Sequence, residues 1–181
     1  MKRKWLIALV MVVVVACTGY AQEDGLGKID FPNTGKAEAQ LPFMNGVRMV
    51  HSFEWEDAIE SFQEAQKIDP DFYLAYWGEA LSHYVGHHFQ ASSTDVPAGR
   101  AALQKLGRTK KERLDKAPND RERGYLEAVE ALYGAGSPEE RTLAYSDRMG
   151  ELWEAHPEDH EAAALSVPEY RAPWKFPKQY V

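Results

Sequence analysis

The stretch HSFEWEDAIESFQEAQKIDP, residues 51–70, decides the fold of this chain. Its apolar residues recur every three or four positions over 55–68, which is the spacing of one buried face of an α-helix. Proline lacks the backbone N–H that a further turn needs, so Pro70 ends that helix. Small and bulky residues follow an upstream glycine at offsets of 12, 16, 19 and 24 residues, in the series Gly46, Ala58, Phe62, Ala65 and Pro70. The stretch therefore predicts the second helix of a helical hairpin.

This series resembles the tetratricopeptide repeat (TPR), a helix–turn–helix unit of about 34 residues with small residues in helix A and a small–bulky–small pattern in helix B. A second copy follows in register and places Ala80 where Gly46 stands in the first. A looser third copy has Tyr145, Met149, Leu152 and Pro157 at the offsets of helix B. Three partial copies indicate a repeat more specifically than one.

The resemblance covers residues 36–166 and implies an all-α fold, a TPR-like array of antiparallel helical hairpins (an α-solenoid). Residues 51–70 together with AYWGEAL, residues 75–81, are similar to a group of exported bacterial TPR proteins that are mostly uncharacterised. Members of that group continue with further repeats. A truncated or frameshifted product and a genuine short form therefore both stay open for this chain.

Periodicity and capping signals predict the individual helices. Thr109 with Glu112 and Ser137 with Glu140 have the spacing of capping boxes, and Asn119 is placed to cap a third helix with Glu122. Residues 86–96 are predicted to be a loop. The predicted helices are 36–52, 55–68, 72–85, 97–107, 110–116, 120–133, 138–155 and 159–165.

The two ends of the chain have different patterns. Residues 1–21 combine a basic start with a short apolar run, the pattern of an export signal. Cleavage before Gln22 and a lipoprotein signal ending before Cys17 both stay open. Residues 22–35 are predicted to be a flexible linker, and residues 167–181 an irregular tail rich in proline and aromatic residues.

Composition and charge exclude some classes of partner. The single cysteine, Cys17, allows no disulfide within one chain. Removal of residues 1–16 leaves 18 basic against 28 acidic residues, a net charge of about −10. Such a chain repels phosphate backbones, so no nucleic-acid partner is expected. A membrane is expected as a partner only through a lipid on Cys17, and the mature protein is expected in the periplasm or as an outer-membrane lipoprotein.

In TPR stacks, helix A side chains line a concave surface that binds peptides. The resemblance implies that this surface would bind a protein or a peptide here, and its mostly apolar lining suits an apolar peptide, a partner helix or a lipid-like chain. The alternative is that the helices over 97–116 cover these side chains as core. An uncapped last repeat would also allow self-association. The partner-binding residues implied by position are Phe43, Val47, His51, Leu74, Trp77, Leu81 and Tyr84, with Gln40 and Val50 beside them.

Two ionisable residues break the apolar pattern of the third helix. Glu79 and His83 stand where the repeat expects buried apolar groups, and at i and i+4 they share one helix face. One interpretation is a buried polar cluster of Glu79 and His83 with Asn45. The alternative is a metal site of Glu79, His83 and His87, completed by His51 or His88, because imidazole and carboxylate ligands suit Zn²⁺.

No sequence motif indicates catalysis. The chain has no GxSxG, P-loop, GxGxxG or HExxH pattern and no CxxCH site for covalent haem. No cofactor is expected. The sequence predicts a non-catalytic exported scaffold that binds a protein partner, with metal or small-ligand binding as the alternative.

Overall fold

The computed structural model describes residues 29–89 and 96–166, and the side chains of residues 85–96 are outside this description. Within these ranges the fold is all-α and has no strands, as the sequence predicts. The eight helices are α1 (Ala37–His51), α2 (Trp55–Ile68), α3 (Tyr73–Phe89), α4 (Val96–Gln104), α5 (Lys110–Asp115), α6 (Asp120–Leu132), α7 (Pro138–Ala155) and α8 (His160–Ser166).

Successive helices pack against each other as hairpins. Helix α1 contacts α2, α2 contacts α3, α6 contacts α7, and α7 contacts α8. The connections at 52–54 and 69–72 are too short to let a contacting helix run in the same direction, so neighbours are antiparallel. Helix α3 also contacts α1, α4 and α6 and joins the two halves of the array. The architecture is an array of helical hairpins of the α-solenoid kind.

Close approach of the first three helices depends on two glycines. A Cβ atom added at Gly46 in α1 would lie 2.8 Å from the Phe62 ring of α2, and one added at Gly78 in α3 would lie 2.3 Å from the same ring. Phe62 is fully buried between them. The small–bulky pattern of residues 46–70 therefore packs one aromatic ring between two bare backbones.

The local signals that start the helices are present in the structure. Thr109 with Glu112 and Ser137 with Glu140 each form both hydrogen bonds of a capping box. The Asn119 side chain accepts from the backbone N–H of Glu122 at the start of α6. These contacts satisfy backbone donors that a helix start leaves free.

Two predicted irregular segments are corrected. Helix α3 continues to Phe89, so the predicted loop does not begin at Gly86, because a single glycine costs a helix only about 1 kcal/mol. Residues 29–35 pack against the helices and are not a free linker, and Phe31 is only 3% exposed. The predictions for residues 1–28, 90–95 and 167–181 lie outside the described residues.

Among the described residues, no helix is both long and apolar enough to cross a membrane.

Candidate functional site

Most of the residues predicted to line an apolar groove are core instead, and core was the alternative that the sequence left open. Of the seven predicted residues, six are core, with side chains buried among the helices: Phe43, Val47, Leu74, Trp77, Leu81 and Tyr84. Only His51 is exposed, and its ring nitrogen Nε2 lies 2.7 Å from Glu161 Oε2 of α8. These side chains therefore do not form an open apolar groove in the described structure, because the interior of the array uses them.

Residues that precede the first helix cover part of this apolar surface. Residues 29–36, here called the leading segment, run up to the start of α1. The Phe31 ring lies 5.5 Å from Phe43 of α1, 5.7 Å from Trp77 of α3 and 5.1 Å from Tyr125 of α6, measured between ring centroids. These distances are typical of aromatic pairs that stabilise a contact beyond simple burial. One side chain outside the helices thus contacts three helices, and we call their shared surface the α1/α3/α6 face.

Polar side chains at the start of α6 hold the backbone beside Phe31. The Thr34 N–H donates to Glu122 Oε1 over 2.8 Å, and the Thr34 hydroxyl donates to Glu122 Oε2 over 3.1 Å. The Arg121 guanidinium donates to the Pro32 carbonyl and lies 5.0 Å from the Phe31 ring centroid. Glu122 is 1% exposed, so its charge needs these donors and the positive end of the helix dipole.

The Arg121 side chain is itself held in place by Asp159, which lies in the connection between α7 and α8. Its Nε donates to Asp159 Oδ2 over 2.6 Å, and the Tyr125 hydroxyl donates to Asp159 Oδ1 over 2.9 Å. Burial, with the nearby charge of Asp159, raises the pKa of Tyr125 far above its usual value. Tyr125 therefore stays a neutral donor at all physiological pH values, and this network orients Arg121 toward the leading segment.

Further hydrogen bonds attach the leading segment to α1 and to the α2–α3 connection. Gln40 donates to Asn33 Oδ1 over 2.6 Å and to the Gly35 carbonyl over 2.7 Å. The Lys36 N–H donates to Asp69 Oδ2 over 2.9 Å, and its ammonium lies 3.0 Å from Asp69 Oδ1. Burial opposes ionisation of Asp69, but these bonds from Lys36 bring the net pKa of Asp69 below its usual value. Gln40 is thus a groove residue implied by position that hydrogen-bonds to the leading segment.

A polar cluster does form around Glu79, and it includes members that the sequence did not predict. Glu79 is 3% exposed and accepts from Gln66 Nε2 over 2.6 Å, from Gln63 Nε2 over 2.9 Å and from the Lys105 ammonium over 2.9 Å. The prediction that Asn45 belongs to this cluster is wrong, since its Oδ1 accepts from Arg48 Nη1 on the same helix. His83 is half-buried one turn further along α3. The ionised carboxylate is thus matched by a cation from the end of α4.

The alternative metal site lacks support in the described part of the chain. No three His, Cys, Asp or Glu side chains come together there in a way that could hold a metal ion. The side chains of His87 and His88 lie outside the described residues. Both carboxylate oxygens of Glu79 already accept hydrogen bonds from an ammonium or amide group. A cation ligated there would have to displace Lys105.

Comparisons with known proteins place the chain in no family. No protein-family model matches it. No curated protein and no solved structure matches it either. The side chains of the α1/α3/α6 face and the repeat pattern are the features of the chain that point to a function.

Proposed function

We propose that this protein is a non-catalytic exported scaffold of the TPR type that binds a protein or peptide partner. The repeat pattern that interlocks Gly46, Phe62 and Gly78 supports the TPR assignment, because TPR helices approach closely at small residues. Arrays of hairpins present extended surfaces, and such surfaces typically bind other chains.

One observation carries the proposal. The α1/α3/α6 face holds a non-helical stretch of polypeptide through an aromatic side chain, a backbone carbonyl and a backbone N–H. These are the groups by which extended peptides are generally recognised. A surface that binds its own chain in this way has the chemistry to bind another.

The place of action is proposed from the sequence. Residues 1–21 have the pattern of an export signal, and the mature protein would act in the periplasm or as a lipoprotein of the outer membrane. The acidic charge disfavours nucleic acid as a partner. Self-association through the last repeat stays a prediction, which the molar mass in solution would test.

Affinity capture with a matched pair of variants tests the scaffold function. The Arg121→Ala variant removes a side chain of the α1/α3/α6 face, and Arg123→Ala removes the same side chain two residues further along α6. We expect wild type and Arg123→Ala to capture a partner from an envelope fraction and to bind that partner again when both are purified. With the Phe31→Ala change added to both variants, so that the chain's own segment no longer fills the face, Arg121→Ala should bind it at least about tenfold more weakly than Arg123→Ala, the loss of one charge-assisted hydrogen bond. Failure of wild type to bind any purified candidate would contradict the proposal.

A further inference from the structure

We infer that the α1/α3/α6 face is a peptide-binding site that the leading segment occupies in cis. The partner would be a segment of another protein with the same chemistry: a non-helical peptide with an aromatic side chain, followed by a residue that offers an N–H and a hydroxyl. This inference deepens the proposed function and rests on it, since it names the surface and the class of ligand.

The leading segment has the properties of a bound ligand. It belongs to no helix, and burial alternates along it, with Phe31 buried while Pro32 and Thr34 are exposed. Its bonds to α6 use the Pro32 carbonyl and the Thr34 N–H and hydroxyl. Every peptide carries such a carbonyl, and every residue except proline carries the N–H. Only the aromatic side chain and the hydroxyl would make recognition selective.

The face also has donors that the leading segment does not use. Within residues 29–89 and 96–166, the Trp77 indole N–H and the Arg121 Nη2 atom are buried without a hydrogen-bond partner. A buried donor left unpaired destabilises the fold, because it has lost its hydrogen bond to water and gained none in return. Trp77 and Arg121 both lie against the Phe31 ring. A ligand with an additional hydrogen-bond acceptor beside its aromatic group would therefore pair with these two donors, which the leading segment does not do.

Covalent attachment makes the leading segment a competitor for this site. A tethered segment acts at an effective concentration of millimolar order for a short connection, so a free peptide must exceed that value to displace it. The Lys36–Asp69 contact ends the segment immediately before α1 and keeps the tether short. A partner should therefore bind wild type, but more weakly than it binds a variant whose Phe31 anchor is released.

Two variants release the segment by different means. Phe31→Ala removes the aromatic anchor. Gly35→Ala keeps every core side chain but places a Cβ atom 2.4 Å from the Phe72 ring, which is buried, so the segment must shift. Circular dichroism identifies which of the two stays folded. Gly150→Ala is the matched control, because a Cβ there meets nothing within 4 Å.

The probe is a fluorescein-labelled peptide of residues 28–36, KIDFPNTGK, and binding is measured by fluorescence anisotropy. We expect the folded release variants to bind it at least about tenfold more tightly than wild type and Gly150→Ala, because the tethered competitor is gone. A peptide with alanine in place of its phenylalanine should not bind. The inference is overturned if the release variants bind the peptide no better than wild type does, or if the alanine peptide binds equally well.

Two further outcomes separate this inference from the proposed function. If the peptide does not bind, but a purified partner binds Phe31→Ala equally well with and without the added Arg121→Ala change, the scaffold function stands and the face is only a core contact. If Gly35→Ala forms a dimer by light scattering, and the added Phe31→Ala change abolishes that dimer, a second copy supplies the segment and the assignment to another protein is overturned.

Discussion

His51 Nε2 lies 2.7 Å from Glu161 Oε2, so the last residue of α1 contacts the first turn of α8, far along the chain. Glu161 is buried, and His51 is about one-third exposed. Accepting this hydrogen bond, Glu161 raises the pKa of His51 above its usual value, although burial acts in the opposite direction. The contact closes the array between its first and last described helices.

The first prediction is a pH-dependent loss of stability in His51→Gln. Because the folded-state pKa of His51 is raised, the stabilisation is fully present below the unfolded-state pKa of about 6.5 and is lost as pH rises through the raised value. Urea unfolding should show a loss of about 0.5–1 kcal/mol at pH 5.5, within the range of partly exposed ion pairs, and a smaller loss at pH 8.5. The control His160→Gln should leave the free energy of unfolding unchanged at both pH values. An equal loss for His51→Gln at both would refute the assigned pairing.

The second prediction concerns the cation beside Glu79. Lys105→Met removes the ammonium that lies 2.9 Å from a carboxylate of only 3% exposure, and it should lower the free energy of unfolding by about 1–3 kcal/mol. The double variant Glu79→Gln/Lys105→Met should regain part of this loss, since no buried charge is left unpaired. Lys67→Met, at an exposed ion pair with Glu64, should have almost no effect. A double variant no more stable than Lys105→Met would contradict this account.

The third prediction compares two glycines. Gly78→Ala places a Cβ atom 2.3 Å from the Phe62 ring, which cannot move away because it is fully buried, and overpacking of this kind costs about 1–3 kcal/mol. Gly150→Ala, in an open position of α7, should instead stabilise the protein by about 0.5–1 kcal/mol through helix propensity. Thermal unfolding measures both. Opposite signs are expected, and two equal shifts would show that α2 and α3 do not interlock through Phe62.

The fourth prediction concerns maturation. Either cleavage removes at least residues 1–16, so the intact mass of the exported protein should correspond to a start at Gln22 or at a lipidated Cys17. Cys17→Ser should prevent maturation only in the second case. A mature protein that still begins at Met1 would contradict both alternatives.

The sequence predicts most of the helical architecture because helix starts and packing faces are local. The capping residues Thr109 and Ser137 act within three positions, and the Gly46–Phe62 contact follows from a repeat whose spacing is visible in one stretch. The end of α3 is an exception, because Gly86 predicts a helix end there and the helix continues to Phe89. A single glycine costs a helix only about 1 kcal/mol, and favourable packing elsewhere in the helix can exceed that cost.

The candidate site could not be predicted, because its contacts join residues distant in sequence. Phe31 stands in a polar stretch without periodicity, and its burial depends on rings at 43, 77 and 125. An aromatic residue isolated in a Gly- and Asp-rich segment was the one available signal. Lys105 likewise pairs with Glu79 from another helix, which spacing along α3 cannot reveal.

The central claim is that the leading segment docks on the α1/α3/α6 face as a ligand does, and the exchange rate of the Thr34 amide tests it most directly. In wild type this N–H donates to buried Glu122, so its hydrogen exchange should be slowed, whereas in Phe31→Ala it should exchange rapidly while amides in α1, α3 and α6 stay protected. Rapid exchange at Thr34 in wild type, or loss of protection in all three helices together with the segment, would contradict the claim.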